Sequence, residues 1–407
     1  MRVAIIGGGP AGLTAAITAL SSHIHIDIYE KSSRPGRKIL AAGNGRCNLS
    51  NTTITPACFL TSSPAWLGAL LKRYDYHALR LFFEGLGLRL AQKADGRVYP
   101  LSNEAKSVHE VLCRSAIGNG AFLHTGCAVE SLVRKKGRFV LTSALGEREY
   151  DKVLIAVGSA AAPQLGGGTD GLELAAVFGH ATRPFFPVLV GLESLDSRLK
   201  RLAGQKIEAG VRLYVENKEA AFVRGDLLFT AYGLSGFAVL DISPDAVSAL
   251  EAGRKVAVGV DLLPDMERQQ IAALLGKWAG RLPDVSVVSL LQGLLPLKIA
   301  RVLPETAKVD GAQRACEAGA KVWRRLAVAA CDWRFEIVKS HGFEHAEAAG
   351  GGVALEEVDA KTMMSKKVPG LYFAGEVLDV AGRRGGYNLH FAWASGTCAG
   401  EAMKREG

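Results

Sequence analysis

The chain has 407 residues, a length that predicts two or three domains with ample apolar core. Hydrophobic residues make up 48% of the chain, yet no apolar run approaches the roughly twenty residues that a membrane span needs, so no membrane partner is expected. The formal net charge of +9 leaves room for an anionic partner, including RNA.

The seven cysteines are odd in number, scattered, and contain no CxxC pair. This pattern argues against a disulfide framework and against a zinc site, so no metal is expected. Because the first apolar stretch fits a strand of the fold better than a leader sequence, we expect a cytoplasmic protein with reduced thiols.

The first thirty residues predict a strand, a tight turn, a helix and a second strand. Residues 2–6 are apolar, and Gly7, Gly9 and Gly12 follow at GxGxxG spacing. In a dinucleotide fold these glycines permit the sharp turn, the approach of a pyrophosphate, and close packing of helix on strand. Glu30 lies eighteen residues after Gly12, where a carboxylate would bind ribose hydroxyls and repel a 2′-phosphate. FAD or NAD is therefore favoured over NADP.

Hydrophobic periodicity then predicts alternating elements interrupted by one long insertion. In chain order they are a helix over 64–90, a strand over 96–100, a helix over 107–119, strands over 122–132, 138–143 and 151–158, strands from about 187, helices over 265–303, a strand over 335–338, a strand over 370–376 and a helix over 388–404. A second GxGxxG over 166–171 has no strand leading directly into it and no acid at ribose distance, so it is interpreted as a loop and helix cap.

Two late segments favour FAD over NAD. Gly375 and Glu376 end an apolar strand, and residues 386–389 open the last helix. In two-dinucleotide-type flavoproteins such a strand reaches the ribityl chain and pyrophosphate, and the last helix directs the positive end of its dipole at the flavin. An ordinary NAD dehydrogenase has no need of this closing segment.

Several longer motifs resemble the BaiN/YhiN-like family of bacterial FAD-dependent, NAD(P)H-type oxidoreductases. The matching stretches are 36–40, 43–51, 228–236, 350–353, 373–379 and 386–389, so the resemblance spans nearly the whole chain. It implies an α/β fold with a Rossmann-like FAD-binding domain built from both chain ends and two inserted subdomains. The implied boundaries are 1–190 with 340–407 for the FAD domain, 191–260 with 308–339 for a β-rich subdomain, and 261–307 for a helical subdomain.

The resemblance also implies cofactor contacts, at the pyrophosphate for the glycine loop, at the ribose for Glu30 and Lys31, and near the flavin for Asn388. Arg37 and Lys38 have a physical warrant of their own, because they would balance a dianion. The predicted cofactor-binding set is Gly7, Gly9, Pro10, Ala11, Gly12, Glu30, Lys31, Arg37, Lys38, Arg46, Val129, Gly375, Glu376, Asn388 and Leu389.

The chain departs from the family pattern at three places. Ala231 stands where the family usually has histidine, Phe237 replaces a proline, and Arg383-Arg384 replaces a more often uncharged or aromatic residue. Any proton-transfer role of that histidine is therefore absent here.

No recognisable catalytic pair is present in the sequence. The candidate proton donors are Cys47, Tyr387, Tyr232, His341 and His390. Cys47 and Tyr387 are the two catalytic candidates, and Cys47 lies beside Arg46, whose charge would lower a thiol pKa. The alternative for Cys47 is a small packed residue.

The leading hypothesis is an FAD-dependent oxidoreductase that takes hydride from NAD(P)H and passes it to an activated C=C bond or similar acceptor. One alternative keeps the flavin and makes a base in structured RNA the substrate. A second alternative is a non-catalytic flavin-binding redox sensor.

Overall fold

The computed structural model describes residues 1–405 as an α/β protein. Its strands are β1 Arg2–Ile6, β2 His25–Glu30, β3 Ser50–Asn51, β4 Phe59–Thr61, β5 Leu90–Gln92, β6 Arg97–Pro100, β7 Phe122–Thr125, β8 Val129–Lys135, β9 Arg138–Ser143, β10 Gly146–Tyr150, β11 Lys152–Ile155, β12 Thr182–Val188, β13 Leu192–Glu193, β14 Lys206–Val215, β15 Lys218–Phe229, β16 Gly233–Ser235, β17 Val256–Asp261, β18 Trp333–Ile337, β19 Lys339–Ser340, β20 Ala348–Val353, β21 Leu371–Phe373 and β22 Val380–Gly382.

Its helices are α1 Pro10–Ala19, α2 Arg37–Gly45, α3 Pro64–Arg73, α4 Tyr76–Gly85, α5 Ala105–Ile117, α6 Asp170–Val177, α7 Leu199–Leu202, α8 Phe237–Glu251, α9 Arg268–Arg281, α10 Val287–Leu291, α11 Leu297–Thr306, α12 Ala320–Cys331 and α13 Tyr387–Arg405. Among these helices, none combines the length and the apolar character needed to cross a bilayer.

The chain divides into two compact units. The nucleotide unit comprises Met1–Pro187 and the chain from Ala346 onward, and the insert comprises Val188–His345. The sequence predicts these junctions near residues 190 and 340.

The nucleotide unit is built on a five-stranded parallel sheet in the order β21-β11-β1-β2-β7. Residues 3–6 of the central strand are buried, as expected for a strand covered on both faces. α13 packs against α1, and a Cβ at Gly396 or Gly400 would lie 2.4 Å from the Ala11 carbonyl oxygen or 2.6 Å from that of Ala15. Both chain ends therefore share one core, because these glycines let the last helix approach the first.

The segment predicted as one helix over 64–90 is two helices, α3 and α4. The break follows Tyr74, and the Asp75 carboxylate accepts a hydrogen bond of 2.8 Å from the Ala78 backbone N–H. An N-cap aspartate satisfies an otherwise unpaired donor at a helix start, which explains why α4 begins anew here.

The insert holds a seven-stranded antiparallel sheet in the order β18-β17-β14-β15-β16-β13-β19, with α8 packed on it. α9, α10, α11 and α12 pack on one another as a helical layer. The sequence predicts the end of a helical subdomain at 307; α12 lies beyond that position and packs on α9 and α11, with Trp323, Leu326 and Ala330 as a buried stripe at helical spacing.

Candidate cofactor site

Close packing alone requires glycine at two positions of the turn from β1 into α1. Gly7 has φ of +108°, and a Cβ there would lie 2.4 Å from the Ala156 carbonyl oxygen. A Cβ at Gly12 would lie 1.9 Å from the Gly7 carbonyl oxygen. Gly9 differs, since apart from its two chain neighbours no described residue comes within 4 Å of its Cβ position. The second glycine therefore faces open space, where a ligand can approach the backbone.

The first turn of α1 offers an anion site beside this space. Gly9 is the N-cap residue, Pro10 begins the helix, and no described side chain caps the turn. The free N–H groups and the helix dipole favour a phosphate at this position.

Glu30 ends β2 with its carboxylate turned to the glycine loop. It accepts hydrogen bonds of 2.9 Å from the Gly8 N–H and 2.7 Å from the Ser32 N–H. A carboxylate has about four lone-pair positions, so two remain to accept ribose hydroxyl groups.

The stretch after β2 contains α2, whose helical turns are interrupted over residues 42–44. An open cleft of about 550 Å³ lies here. The Arg37 guanidinium donates to the Gln164 carbonyl oxygen at 2.6 Å and keeps further donors for a ligand. The cleft is lined by Ser33, Arg34, Arg37, Leu40, Ala41 and Leu165.

Lys38 and Glu376 join the two chain ends. The Lys38 ammonium lies 2.9 Å from one carboxylate oxygen of Glu376, and the other oxygen accepts the Ala349 N–H at 3.1 Å. Gly375 packs against α1, because a Cβ there would lie 2.9 Å from the Ala11 Cβ. The late strand therefore reaches the glycine loop, an arrangement that the sequence separation conceals.

The other predicted contacts near the ADP end have different surroundings. Lys31 forms an ion pair of 2.7 Å with Asp170, at the start of α6. The Cys127 N–H donates to the Glu30 carbonyl oxygen at 2.9 Å, which brings the start of β8, and with it Val129, to the end of β2. The Arg46 guanidinium lies over the Tyr99 ring at 5.5 Å, on an exposed turn. Of the other residues here, Asp170 and Gln164 were missed, because only tertiary packing brings the 163–171 loop to β2.

The start of α13 is fixed by a side-chain clamp. The Asn388 amide oxygen accepts the Gly382 N–H at 2.6 Å, and its nitrogen donates to the Gly382 carbonyl oxygen at 2.9 Å. A Cβ at Gly386 would lie 2.5 Å from the Ser50 carbonyl oxygen. Leu389, the residue after Asn388 in α13, is partly buried and packs against the core. These contacts hold the helix N-terminus in place.

Two of the candidate proton donors are unsuited to that role. Burial raises the pKa of the Cys47 thiol to about 12, so the lowering expected from Arg46 was wrong. His390 is buried between Ser50 and the Tyr74 carbonyl oxygen, each 2.8 Å away, and burial lowers its pKa to about 4. Tyr387 remains half-buried, with its ring edge-on to Phe59.

In the insert, the His341 imidazole is held by a carboxylate, a pairing that the sequence did not predict. His341 Nδ1 lies 2.9 Å from a Glu193 carboxylate oxygen, and the Tyr232 ring stacks on the imidazole at 3.5 Å. Although burial acts in the opposite sense, hydrogen bonds from His341 and Lys339 lower the pKa of Glu193. A carboxylate partner fixes the tautomer and orientation of an imidazole.

The nucleotide unit fits FAD at its anionic and ribose ends. Open space at Gly9, an uncapped helix start, and the cations of Arg37 and Lys38 suit a pyrophosphate dianion. The orientation of Glu30 suits the ribose, and the clamped start of α13 suits the reduced ring.

The family model described as HI0933-like protein Rossmann domain matches residues 1–402. A 3-dehydro-bile acid delta(4,6)-reductase of Clostridium scindens is 34% identical over 403 residues, covering 98% of each chain. A ribosomal RNA dihydrouridine synthase of Escherichia coli is 29% identical over 393 residues, covering 96% of this chain and 95% of that protein.

Among solved structures, a 3-ketosteroid delta1-dehydrogenase from Sterolibacterium denitrificans in complex with 1,4-androstadiene-3,17-dione is similar with a TM-score of 0.53. The two chains are 12% identical, and the match covers 100% of this chain and 99% of that one. At this identity the likeness establishes the fold alone. The family match and the relatives together establish that the chain belongs to the HI0933-like family and is an FAD-dependent oxidoreductase.

Proposed function

We propose that the chain is an NAD(P)H-driven reductase of a C=C bond conjugated to a carbonyl group. The observation that carries the proposal is the FAD-fitting site of the nucleotide unit in a chain 34% identical to a reductase of that bond type. The 3-dehydro-bile acid reductase acts, by its name, on double bonds conjugated to a ketone. Dihydrouridine likewise arises by saturating a ring C=C bond conjugated to a carbonyl group, so both named reactions share one chemistry.

When bound, FAD supplies the hydride chemistry. The protein binds and orients the cofactor and the substrate, and it protonates the substrate. Glu30 orients the ribose, and Arg37 and Lys38 balance the pyrophosphate charge. Asn388 holds the start of α13, whose dipole favours negative charge nearby.

A proton must also reach the substrate. Tyr387, Tyr232 and His341 are the remaining candidates, because the Cys47 thiol and the His390 imidazole are buried with unsuitable pKa values. His341 has the strongest chemical warrant, since Glu193 holds its imidazole in one orientation.

The reductant is proposed to be a transiently bound nicotinamide. In the part of the chain that the structure describes, the second glycine stretch precedes α6 as a loop, after the short turn Pro163–Leu165. This geometry offers no second βαβ unit at that point, so nicotinamide would bind close to the flavin and leave after hydride transfer.

The test uses the purified holoprotein under anaerobic conditions. We expect the oxidised flavin absorbance to bleach on addition of NADH or NADPH and to return when a cyclic conjugated enone is added. A saturated ketone of the same ring skeleton is the matched control and should leave the flavin reduced. A flavin that NAD(P)H does not reduce, or that no conjugated enone reoxidises, would contradict the proposal.

A second candidate substrate is a uracil base in structured RNA, and the charge distribution of the insert favours it. Residues 268–325 contain ten Lys and Arg against four Asp and Glu, whereas the rest of the insert contains eleven against fifteen. Exposed Lys277, Arg301 and Arg324 lie on three helices of the basic segment, and within residues 1–405 no carboxylate lies within salt-bridge distance of them. Unpaired surface cations of this kind suit a polyanion.

The RNA candidate is tested by binding ribosomal RNA over a salt series. We expect affinity to fall steeply as salt rises, because binding releases condensed counterions. A poly-glutamate of similar length is the control polyanion and should bind more weakly than structured RNA. Absence of RNA binding at low salt would remove this candidate and leave the small-molecule reductase in place.

The proposed location is the cytoplasm. All seven cysteines are unpaired thiols, which suits a reducing compartment. The non-catalytic sensor is the least supported alternative, because the named relatives are enzymes.

A further inference from the structure

His109 of α5 lies beneath the turn that leads from β2 into α2. The residue is 7% exposed, and its Nε2 lies 2.9 Å from the Pro35 carbonyl oxygen. Because a carbonyl oxygen only accepts, Nε2 must carry the hydrogen, which fixes the tautomer. The imidazole is therefore a buried donor directed at this backbone group, and the Cys113 Sγ lies 3.7 Å from the same nitrogen.

The same imidazole determines how closely the turn can pack. Gly36 has φ of +66°, and a Cβ there would lie 2.9 Å from the Cδ2 atom of His109. Any other residue would meet both the left-handed backbone and the ring. The turn therefore rests directly on the edge of the imidazole.

This turn connects the two parts of the cofactor site. The Gly36 N–H donates to the Gly8 carbonyl oxygen at 2.9 Å, which ties the turn to the glycine loop. The Gly36 carbonyl oxygen accepts the Ile39 N–H at 2.9 Å, which starts α2. α2 in turn carries Arg37 and Lys38, so a displacement of the turn would move the glycine loop and both cations together.

We infer that His109 is a positioning residue for FAD, which holds the Pro35-Gly36 turn so that the glycine loop and the start of α2 are preformed for the pyrophosphate. The inference rests on the proposed reductase function, which needs the FAD site, but assigns a role to a residue that would not touch the cofactor. Loss of the donor would lower the fraction of molecules with a competent loop, and the apparent dissociation constant would rise by the inverse of that fraction.

The test compares His109→Gln with His109→Asn. The Gln amide nitrogen can take the place of Nε2 and reach the Pro35 carbonyl oxygen, whereas Asn is one methylene shorter. We expect His109→Asn to raise the FAD dissociation constant about 10-fold and His109→Gln to stay within about 3-fold of the wild type. The constant is measured by flavin fluorescence on titrating the apoprotein, and the Tm of each apoprotein is measured in parallel.

Trp66→Phe is the matched control, because it removes one ring N–H that donates to a backbone carbonyl oxygen, that of Val358, at 2.8 Å. It should lower the Tm while leaving FAD affinity unchanged. Should His109→Asn not fold, His109→Leu serves in its place. Equal FAD affinity in wild type and His109→Asn, or equal weakening in the Asn and Gln variants, would overturn the inference alone. A wild-type apoprotein that binds no FAD would overturn the proposed function as well.

Discussion

The nucleotide unit and the helical layer of the insert hold their charges in opposite ways. In the nucleotide unit, Lys38 pairs with Glu376 and Arg37 donates to a backbone carbonyl oxygen. In the helical layer, Lys277 and Arg301 are exposed, and no carboxylate among residues 1–405 lies within salt-bridge distance of either. Fixed charges suit one ligand in one orientation, whereas free charges suit a large anion bound in many ways.

The largest expected effect is that of Gly12→Ala. The new Cβ would lie 1.9 Å from the Gly7 carbonyl oxygen. Because this is a backbone atom, the clash can be relieved only by moving the glycine loop away from α1. We expect FAD binding to weaken more than about 100-fold and the Tm to fall by several degrees. Gly9→Ala is the control, because its Cβ would enter open space: the apoprotein Tm should not change, yet FAD should bind more weakly. Full FAD affinity in Gly9→Ala would contradict the assignment of that space to the pyrophosphate.

The next effect concerns the pH dependence of the free energy of unfolding. Burial lowers the pKa of His390 from 6.5 to about 4, so the unfolded chain takes up this proton first as pH falls. The free energy of unfolding should therefore drop by about 3 kcal/mol between pH 7 and pH 4 on account of this residue.

Urea unfolding over that pH range checks the prediction. His390→Gln should give a shallower decline than the wild type, whereas His23→Gln, which changes an exposed residue, should not. Parallel profiles for wild type and His390→Gln would contradict the assigned environment.

Lys38→Met tests whether the fixed charges serve the cofactor. It removes a counter-charge from the predicted pyrophosphate site and leaves Glu376 without its cation, so FAD affinity should fall about 10-fold or more. Lys72→Met, on the exposed face of α3, is the control for loss of one charge. Equilibrium titration of both apoproteins with FAD measures the difference in affinity. Equal affinities in the two variants would contradict a contact between Lys38 and the phosphates.

A triple variant, Lys277→Glu with Arg301→Glu and Arg324→Glu, tests the free charges. We expect RNA affinity to fall about 10-fold at low salt and its salt dependence to become less steep. The matched control reverses three exposed cations elsewhere in the insert, Lys218, Arg254 and Lys255, with the same change in net charge. Equal losses in both triples would indicate a general charge effect and remove the helical layer as a specific surface.

The smallest effect is expected for Cys47→Ser. The thiol is buried and its raised pKa keeps it protonated at neutral pH, so enone reduction should stay within about 2-fold of the wild type. Steady-state rates over a pH series measure this. A loss of 10-fold or more would restore Cys47 as a catalytic candidate.

The local part of the cofactor site could be predicted from the sequence. The spacing of Gly7, Gly9 and Gly12 predicts the role of each glycine, because a strand, a turn and a helix of fixed geometry place each one in a single environment. The position of Glu30 at the end of the second strand is predicted by the same strand–turn–helix–strand segment. Short-range geometry is sufficient here because covalent connectivity already brings these residues together.

Only the tertiary structure decided which distant side chains meet. Lys38 and Glu376 are 338 positions apart, and His341 and Glu193 are 148 apart, so no local pattern predicts their pairing. The environment of Cys47 was likewise hidden, because the adjacent Arg46 points over Tyr99 while packing buries the thiol. Local motifs fix backbone geometry, whereas pairing and burial depend on how the whole core closes.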